Sequence, residues 1–389
     1  MDPAGLSPTP AGTGRLKVLL MCDYRPAEAA MVWEHIEAFS RYSAHEVWTY
    51  SGTGELPAAI DLAYFDAIII HYSLCICRDV FLAPPTRYRL RMFRGLKALF
   101  IQDEYRFIDD TIRTIQYLGI DVLFTAVPEA EIERVYPRAR LPHTLTVNVL
   151  TGYISEALLA ITPPPLAARP VDVGYRGRKY PAWHGTLGLE KWQIAERFLA
   201  DAEGYGLRCD ISYHEKDRLY GQAWIDFLCR SKAQLGVESG ASVMDFTGEI
   251  ARRCEAHERR HPDTPYALLR DRYFAGEEGK VRLNQIAPRI FEGLAMKCLM
   301  ILYEGEYSGI LVPGRHYVPL KKDHSNVAEV VAVLRDLERA QAVVDRAFRE
   351  VVADPRFSYR AFVAQVDRVL VERLEPGMAA PPRAAPPRE

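Results

Sequence analysis

Short apolar runs of strand length alternate with amphipathic stretches along the chain, and the alternation breaks once, at Pro163, Pro164, Pro165 and Pro170, before it restarts. This pattern constrains the fold more than any other feature. Strands separated by helices lie parallel, and the helices cover the faces of the sheet. In the first part the pattern predicts strands at 17–21, 45–50, 67–71, 98–101, 122–126 and 144–149, with helices over 28–42, 88–96, 106–118 and 129–135. The proline-rich residues 161–170 suit neither element and read as a linker. Beyond them strands are expected at 171–175, 207–212, 233–238, 298–303 and 316–320, and helices at 189–200, 222–230, 326–337 and 340–352.

The chain is α/β and divides into two domains, because 389 residues exceed what one core usually holds. The expected division has a disordered start at 1–14, a first Rossmann-like domain at 15–160, the linker at 161–170 and a second Rossmann-like domain at 171–355. A last helix at 356–374 is expected to pack back on the first domain, before a disordered Pro/Ala-rich tail at 375–389. Residues 245–280 are highly charged and lack strand patterns, so they read as a helical insertion on the second sheet, with helices at 248–259 and 265–274.

A formal net charge of −2 and a pI near 6.6 give no broad nucleic-acid footprint. No apolar run approaches the roughly 18 to 20 residues that span a bilayer, and residues 1–14 lack the basic start and apolar core of a leader. Seven scattered cysteines fit a reducing compartment rather than a disulfide framework. A cytoplasmic protein, with at most peripheral membrane contact, is the expectation. Cys75 and Cys77 read as buried thiols, since their spacing is not that of a metal pair.

The segment richest in chemistry is 284–309. Pro288 suits the first helical position, so the amides of Arg289, Ile290 and Phe291 would face out of a helix start that attracts phosphate. Glu292, one turn in, is placed to accept hydrogen bonds from the hydroxyls of a ribose while Arg289 faces a diphosphate. The apolar run behind them is a buried strand. With Arg289-Ile290-Phe291-Glu292, Ala295, that strand and Gly305, the second half resembles the C-terminal domain of group 1 glycosyltransferases of the GT-B fold. The resemblance implies two Rossmann-like domains whose parallel sheets face each other across a cleft. It also implies transfer of a sugar from a nucleotide-diphosphate donor, with retention favoured over inversion, and a role in bacterial cell-surface glycan or glycoconjugate synthesis. The acceptor would be a glycan, a lipid-linked molecule or a small molecule, and no metal or other cofactor would be needed. Many retaining relatives carry two glutamates eight positions apart; Glu292 matches the second, and Asn284 stands where the first would be.

Further candidates surround this segment. Arg176, Arg178 and Lys179 follow the first strand of the second half, where the resemblance implies basic residues that neutralise the leaving diphosphate. Glu238 and Ser239 end the third strand there, and Tyr307 and Ser308 lie in the loop after the next, both at the carboxyl edge where ligands of open α/β sheets bind. In the first half His71, Asp103 and Glu104 end apolar strands and are the candidates for catalysis, His71 as the general base of an inverting transfer and Asp103 or Glu104 either orienting it or binding acceptor hydroxyls. His257 and His261, four apart on a predicted helix, lack a third ligand, and Arg252, Arg253, Arg259 and Arg260 around them would repel a cation. Two other functions suit the same architecture: a nucleotide-sugar 2-epimerase, and a non-catalytic module that binds a sugar nucleotide or a partner.

Overall fold

The computed structural model describes residues 14–25 and 30–374, so the expected tails at 1–13 and 375–389, and the start of the first predicted helix, lie outside the described residues. The first half forms a six-stranded sheet from β1 (Lys17–Cys22), β2 (Glu46–Ser51), β3 (Ala67–Ile70), β4 (Leu96–Ile101), β5 (Val122–Thr125) and β6 (Leu145–Asn148). The order is β2-β1-β3-β4-β5-β6, and every pair is parallel. Helices α1 (Ala30–Tyr42), α2 (Pro84–Met92), α3 (Ile108–Leu118), α4 (Ile132–Val135) and α5 (Glu156–Leu159) complete it. Helix α2 lies earlier than its predicted span, because Pro84 and Pro85 are tolerated in a first turn and Leu96 is taken by β4. Strand β3 is wholly buried, as a strand covered on both faces must be.

The second half repeats the design with five strands: β7 (Val171–Arg176), β8 (Cys209–Ser212), β9 (Ser231–Gly236), β10 (Leu299–Tyr303) and β11 (Val318–Leu320). Its helices are α6 (Gly185–Glu203), α7 (Gly221–Arg230), α8 (Glu249–Arg260), α9 (Tyr266–Tyr273), α10 (Pro288–Ala295), α11 (Val327–Arg335) and α12 (Leu337–Ala347), and α13 (Tyr359–Leu374) ends the described chain. The parallel order is β11-β10-β9-β7-β8. Counted from its own first strand, each sheet therefore runs 2-1-3-4-5, the first adding β6 at its edge. Winding reverses between β1 and β3 and again between β7 and β9, and open sheets of this kind bind ligands just beyond the strand ends at that point.

Three connections tie the halves together. The linker is anchored by Arg169, whose buried guanidinium donates to the carbonyls of Pro164, Ser231 and Met296 at 2.9–3.0 Å. The charged segment reaches across to the first sheet's core, where Met244, Val281 and Leu283 pack with Leu123, Ile112 and Val127. Asp245 fastens that crossing: its amide donates to the Tyr105 carbonyl, its carbonyl accepts from the Phe107 amide, and its carboxylate accepts from the amides of Gly248 and Ala251 at the start of α8. The segment is thus a brace between the two halves as well as an elaboration of the second.

Helix α13 returns to the first sheet. It buries Tyr359, Phe362, Val363, Val366, Val369 and Leu370 against Val18, Leu20, Phe39 and Phe100, and Phe362 stacks on Tyr153 with ring centres 4.5 Å apart. Deleting a buried aromatic ring costs transfer energy plus a cavity term, so Phe362→Ala is expected to lower unfolding free energy by about 3–5 kcal/mol. Urea denaturation of the variant and the parent checks this.

Candidate active site

Between the carboxyl edges of the two sheets lies a cleft of about 410 Å³. From the first half it is lined by Gln102, Asp103 and Tyr105 after β4 and by Tyr72 after β3; from the second, by Arg178 and Tyr180 after β7, Glu238 and Ser239 after β9, Lys191 of α6, Trp224 of α7, and Arg289 and Glu292 of α10.

The start of α10 owes its position to neighbours on both sides. The Gln285 amide side chain donates to the Ala126 carbonyl of the first half, and Thr151 Oγ1 donates to the Ile286 carbonyl at 2.7 Å. A Cβ on Gly152 would lie 2.9 Å from Pro288 Cβ, so only glycine lets the first half approach the helix this closely. No side chain caps the terminus, which leaves it open to a ligand. Of the three amides expected to face a phosphate, that of Ile290 instead turns back to the Ala287 carbonyl at 2.9 Å. Glu292 lines the cleft and accepts a 2.7 Å hydrogen bond from Trp224 Nε1. Burial raises its pKa, while Trp224 and Arg289 pull the other way.

Positive charge gathers at one point of the cleft. Lys191 Nζ lies 4.3 Å from the Tyr180 ring centre and donates to the Gly240 carbonyl at 3.0 Å, and the Arg178 guanidinium lies 4.5 Å from the same ring. Burial alone would raise the Tyr180 pKa, yet Lys191, Arg178 and Arg289 outweigh it and hold the phenol below its ordinary value. Burial, against the attraction of Tyr180, lowers the Lys191 pKa, with Arg289 adding to the effect. The three cations repel one another in a partly desolvated place, an arrangement that an anionic ligand would relieve.

The other basic candidates are occupied. Arg176 pairs with the Asp210 carboxylate at 2.6 Å and stacks on Phe227 at 4.3 Å, so it holds β7 to β8 and α7. Its carbonyl accepts from Arg289. Lys179 lies 4.9 Å from the Trp192 ring centre and does not line the cleft. Close packing requires both glycines here: a Cβ on Gly174, inside β7, would meet Ser231 and Gln234 at 2.5 Å, and one on Gly177, which lines the cleft, would meet Tyr175 at 2.7 Å.

At the carboxyl edge the candidate loops hold each other. Glu238 Oε1 accepts from the amides of Glu306 and Tyr307 at 3.1 and 2.8 Å, and its Oε2 accepts from Asn284 Nδ2 at 2.6 Å. Asn284 thus binds a carboxylate of its own chain. The Ser239 amide donates to the Gln285 carbonyl at 2.7 Å. Tyr307 is fully buried and donates to the Tyr303 carbonyl, and Ser308 Oγ accepts from the Ile286 amide at 3.1 Å. Tyr307 and Ser308 therefore shape the turn before α10 and do not line the cleft, contrary to the sequence expectation. In their own loop after β10 their backbones, with φ of 45° and 56°, sit in the left-handed region.

In the first half the three catalytic candidates separate. Asp103 lines the cleft with φ of 58°, a conformation costly for a non-glycine residue. Its carboxylate is close enough to contribute, after burial, to the raised pKa of both Tyr72 and Tyr105. Glu104 points into the sheet, where it accepts from Thr125 Oγ1 at 2.6 Å, Tyr136 Oη at 2.9 Å and the Ala126 amide at 3.0 Å. Burial pushes its pKa up to about 7 against those bonds, and its task is to join β4 to β5. His71 is wholly buried; its Nδ1 accepts from the Ser73 amide at 3.0 Å, so Nε2 carries the proton and donates to His35 Nδ1 at 3.0 Å. It cannot meet a substrate, which overturns its assignment as general base.

Lys191, Trp224 and Tyr180 carry no local sign of a site in the sequence. Lys191 and Trp224 sit on ordinary helices, and only the crossover geometry turns them into the cleft. Cys77 is half-buried and Cys75 is exposed, where buried thiols were expected, with their sulfurs 3.6 Å apart. Among the described residues, no group of three or more His, Cys, Asp or Glu is placed to hold a metal, and no helix is long and apolar enough to cross a membrane.

Burial drives the pKa of His35 down to about 3 and that of His71 well below its usual value. Because the native state favours the neutral rings, their contribution is complete above the unfolded value near 6.5 and is lost as pH falls below it. Each is expected to cost about 1.4 kcal/mol per pH unit in that range. Denaturation at pH 7 and pH 5 measures the slope, and His35→Asn, which keeps an acceptor at the Nδ1 position but does not titrate, is expected to flatten it.

No protein-family model matches the chain, and no curated protein matches it in sequence. Solved structures do match. Sucrose-phosphate synthase from Thermosynechococcus elongatus superposes with a TM-score of 0.51 at 11% identity, over 92% of this chain and 99% of that one. An alpha-glucosyltransferase in complex with UDP gives 0.52 at 8% identity, over 92% of this chain and 100% of the other. The Anabaena protein HepE in complex with UDP-glucose gives 0.50 at 10% identity, with coverage of 92% and 100%. All three are GT-B glycosyltransferases, and the chain has their fold: two parallel α/β sheets facing across a cleft.

Proposed function

We propose that the chain is a glycosyltransferase that takes a sugar from a nucleoside diphosphate sugar and passes it to a hydroxyl-bearing acceptor. The observation that carries this reading is the meeting of Arg178, Lys191 and Arg289 around Tyr180, beside the half-buried Glu292 and the uncapped start of α10. Cations and a helix start suit a diphosphate, and a carboxylate one helical turn away suits the paired hydroxyls of a ribose. Leu219, Tyr220 and Trp224 lie beyond Glu292 and offer apolar and aromatic surface to a base. UDP is the donor nucleotide we favour, because two structures of the same fold hold UDP or UDP-glucose.

In this reading residues 171–355 hold the donor and residues 15–160 the acceptor, with no metal or other cofactor. The bond from the anomeric carbon to the diphosphate oxygen breaks, and the electron pair leaves with the nucleotide. Arg178, Lys191 and Arg289 offset the charge that develops there, the largest kind of contribution a fixed site makes to such a reaction. The acceptor oxygen bonds to the anomeric carbon on the face the phosphate leaves, and its proton passes to the departing phosphate. We favour retention because His71, the candidate general base, is engaged inside the first half. Asp103 and Gln102 orient the acceptor, which we place among the glycans, lipid-linked sugars and small molecules of cell-surface glycan synthesis.

Release of UDP from UDP-sugars, with and without a panel of glycan acceptors, tests the proposal. Lys191→Ala is expected to slow release by about 100-fold, since it removes a charge that stabilises the leaving group. Asp103→Asn is expected to lower turnover about 10-fold or more while leaving UDP affinity intact. Absence of release or transfer from any nucleotide sugar by the parent protein would reject the assignment.

A further inference from the structure

Helices α8 and α9 enclose a second concavity, outside the cleft, of about 340 Å³. It is lined by Arg252, Arg253, Arg260 and Arg272, with His257, His261, Ala256 and Tyr273 completing the wall. At 100° per residue the α8 members of this wall fall on one half of the helix. The other half carries the groups that attach α8 to the second domain. Ala251 and Cys254 are buried, Glu255 accepts from Trp183 Nε1 at 2.9 Å, and Glu258 accepts from the Ala182 amide at 3.1 Å. The segment is nearly balanced in charge, yet two acids of α8, Glu255 and Glu258, are turned to the attached face while Arg252, Arg253 and Arg260 lie on the free one.

Little neutralises that collection. Glu249 pairs with Arg252 at 2.6 Å, but among the described residues Arg253, Arg260 and Arg272 have no carboxylate within ion-pair distance. Arg253 and Arg272 both lie by the Tyr273 ring, at 5.7 and 5.5 Å from its centre. The wall is fixed rather than floppy, because His257 Nδ1 meets Tyr273 Oη at 2.9 Å and Nε2 meets Thr264 Oγ1 at 3.1 Å. Packing in this region does not require the cations, since Arg253, Arg260 and Arg272 are exposed and the contacts that hold the helices are made elsewhere. Four guanidiniums around one concavity repel each other, and their planar forks match the oxygens of a phosphate.

We propose that this concavity is a binding site for a phosphate-bearing anion, held by Arg252, Arg253, Arg260 and Arg272. It shares no residue with the cleft, so it stands whether or not the chain transfers sugars. A phosphorylated soluble molecule and a phosphomonoester lipid headgroup both present the required oxygens.

Equilibrium dialysis of the full chain against inorganic phosphate tests the site. One phosphate per chain is expected to remain bound in Arg289→Ala, a cleft variant. Arg260→Glu is expected to weaken binding at least about tenfold, whereas Arg259→Glu, the same charge change at a neighbouring exposed arginine that pairs with Glu255 and does not line the concavity, is expected to change it less than about twofold. Thermal melting checks the folds, and Arg253→Glu replaces Arg260→Glu should the latter melt early. Competition by phosphatidylcholine vesicles carrying phosphatidic acid assigns the site to a lipid headgroup; phosphate binding without such competition assigns it to a soluble phosphorylated ligand. No phosphate binding to the parent, or equal loss in Arg259→Glu and Arg260→Glu, overturns the proposal.

Discussion

The cleft depends on residues 284–286 being gripped from four directions at once. Gln285 reaches the Ala126 carbonyl, Thr151 donates to the Ile286 carbonyl, the Ile286 amide meets Ser308, and Asn284 meets Glu238. Two of these partners belong to the first half of the chain and two to the loops at the carboxyl edge of the second sheet. Because this stretch runs directly into Pro288, fixing it fixes the direction in which α10 points. Buried polar groups are costly unless bonded, so each partner removed would leave an unsatisfied amide or carbonyl at the boundary of the halves. The position of Glu292 and Arg289 is therefore a property of the domain contact as much as of the helix that carries them.

Electrostatics then separates residues that look alike. Arg176 and Arg178 are two positions apart and both border the cleft, but Arg176 is neutralised by Asp210 while Arg178 joins Lys191 and Arg289 around Tyr180. Asp103 and Glu104 are adjacent and both border the cleft, but the Glu104 carboxylate is bonded inside the sheet by Thr125, Tyr136 and Ala126. The backbone at Asp103 is left-handed, with φ of 58°. Strain kept at one residue of a cleft, while the residue beside it completes the core, is the pattern expected where position matters more than local stability.

The strands and most helices were legible in the sequence because burial on both faces leaves continuous apolar runs, as in Ala67–Ile70 and Leu299–Tyr303. Glu292 and Arg289 were legible because a proline at the first position and a following strand mark a helix start from local pattern alone. Other readings failed for a common reason: strand ends look the same whether the next side chain turns to solvent or to the core. His71 and Tyr307 turned inward to His35 and to the Tyr303 carbonyl, partners 36 and 4 residues away. Lys191 and Trp224 could not be found in that way, since what brings them to the cleft is the register of two crossover helices against a sheet. The brace made by Asp245 was likewise hidden, because its partners Tyr105 and Phe107 lie in the other half of the chain.

The central claim is that the start of α10, Glu292 and the cations around Tyr180 form one site for a nucleoside diphosphate. Titration calorimetry of UDP into the parent protein and into Glu292→Ala tests it most directly. The account predicts one UDP per chain for the parent, with affinity lowered at least about tenfold in the variant, since a carboxylate lost from a ribose removes charge-assisted bonds. Equal affinity in the two proteins, or no binding of UDP or any other nucleoside diphosphate to the parent, would contradict it.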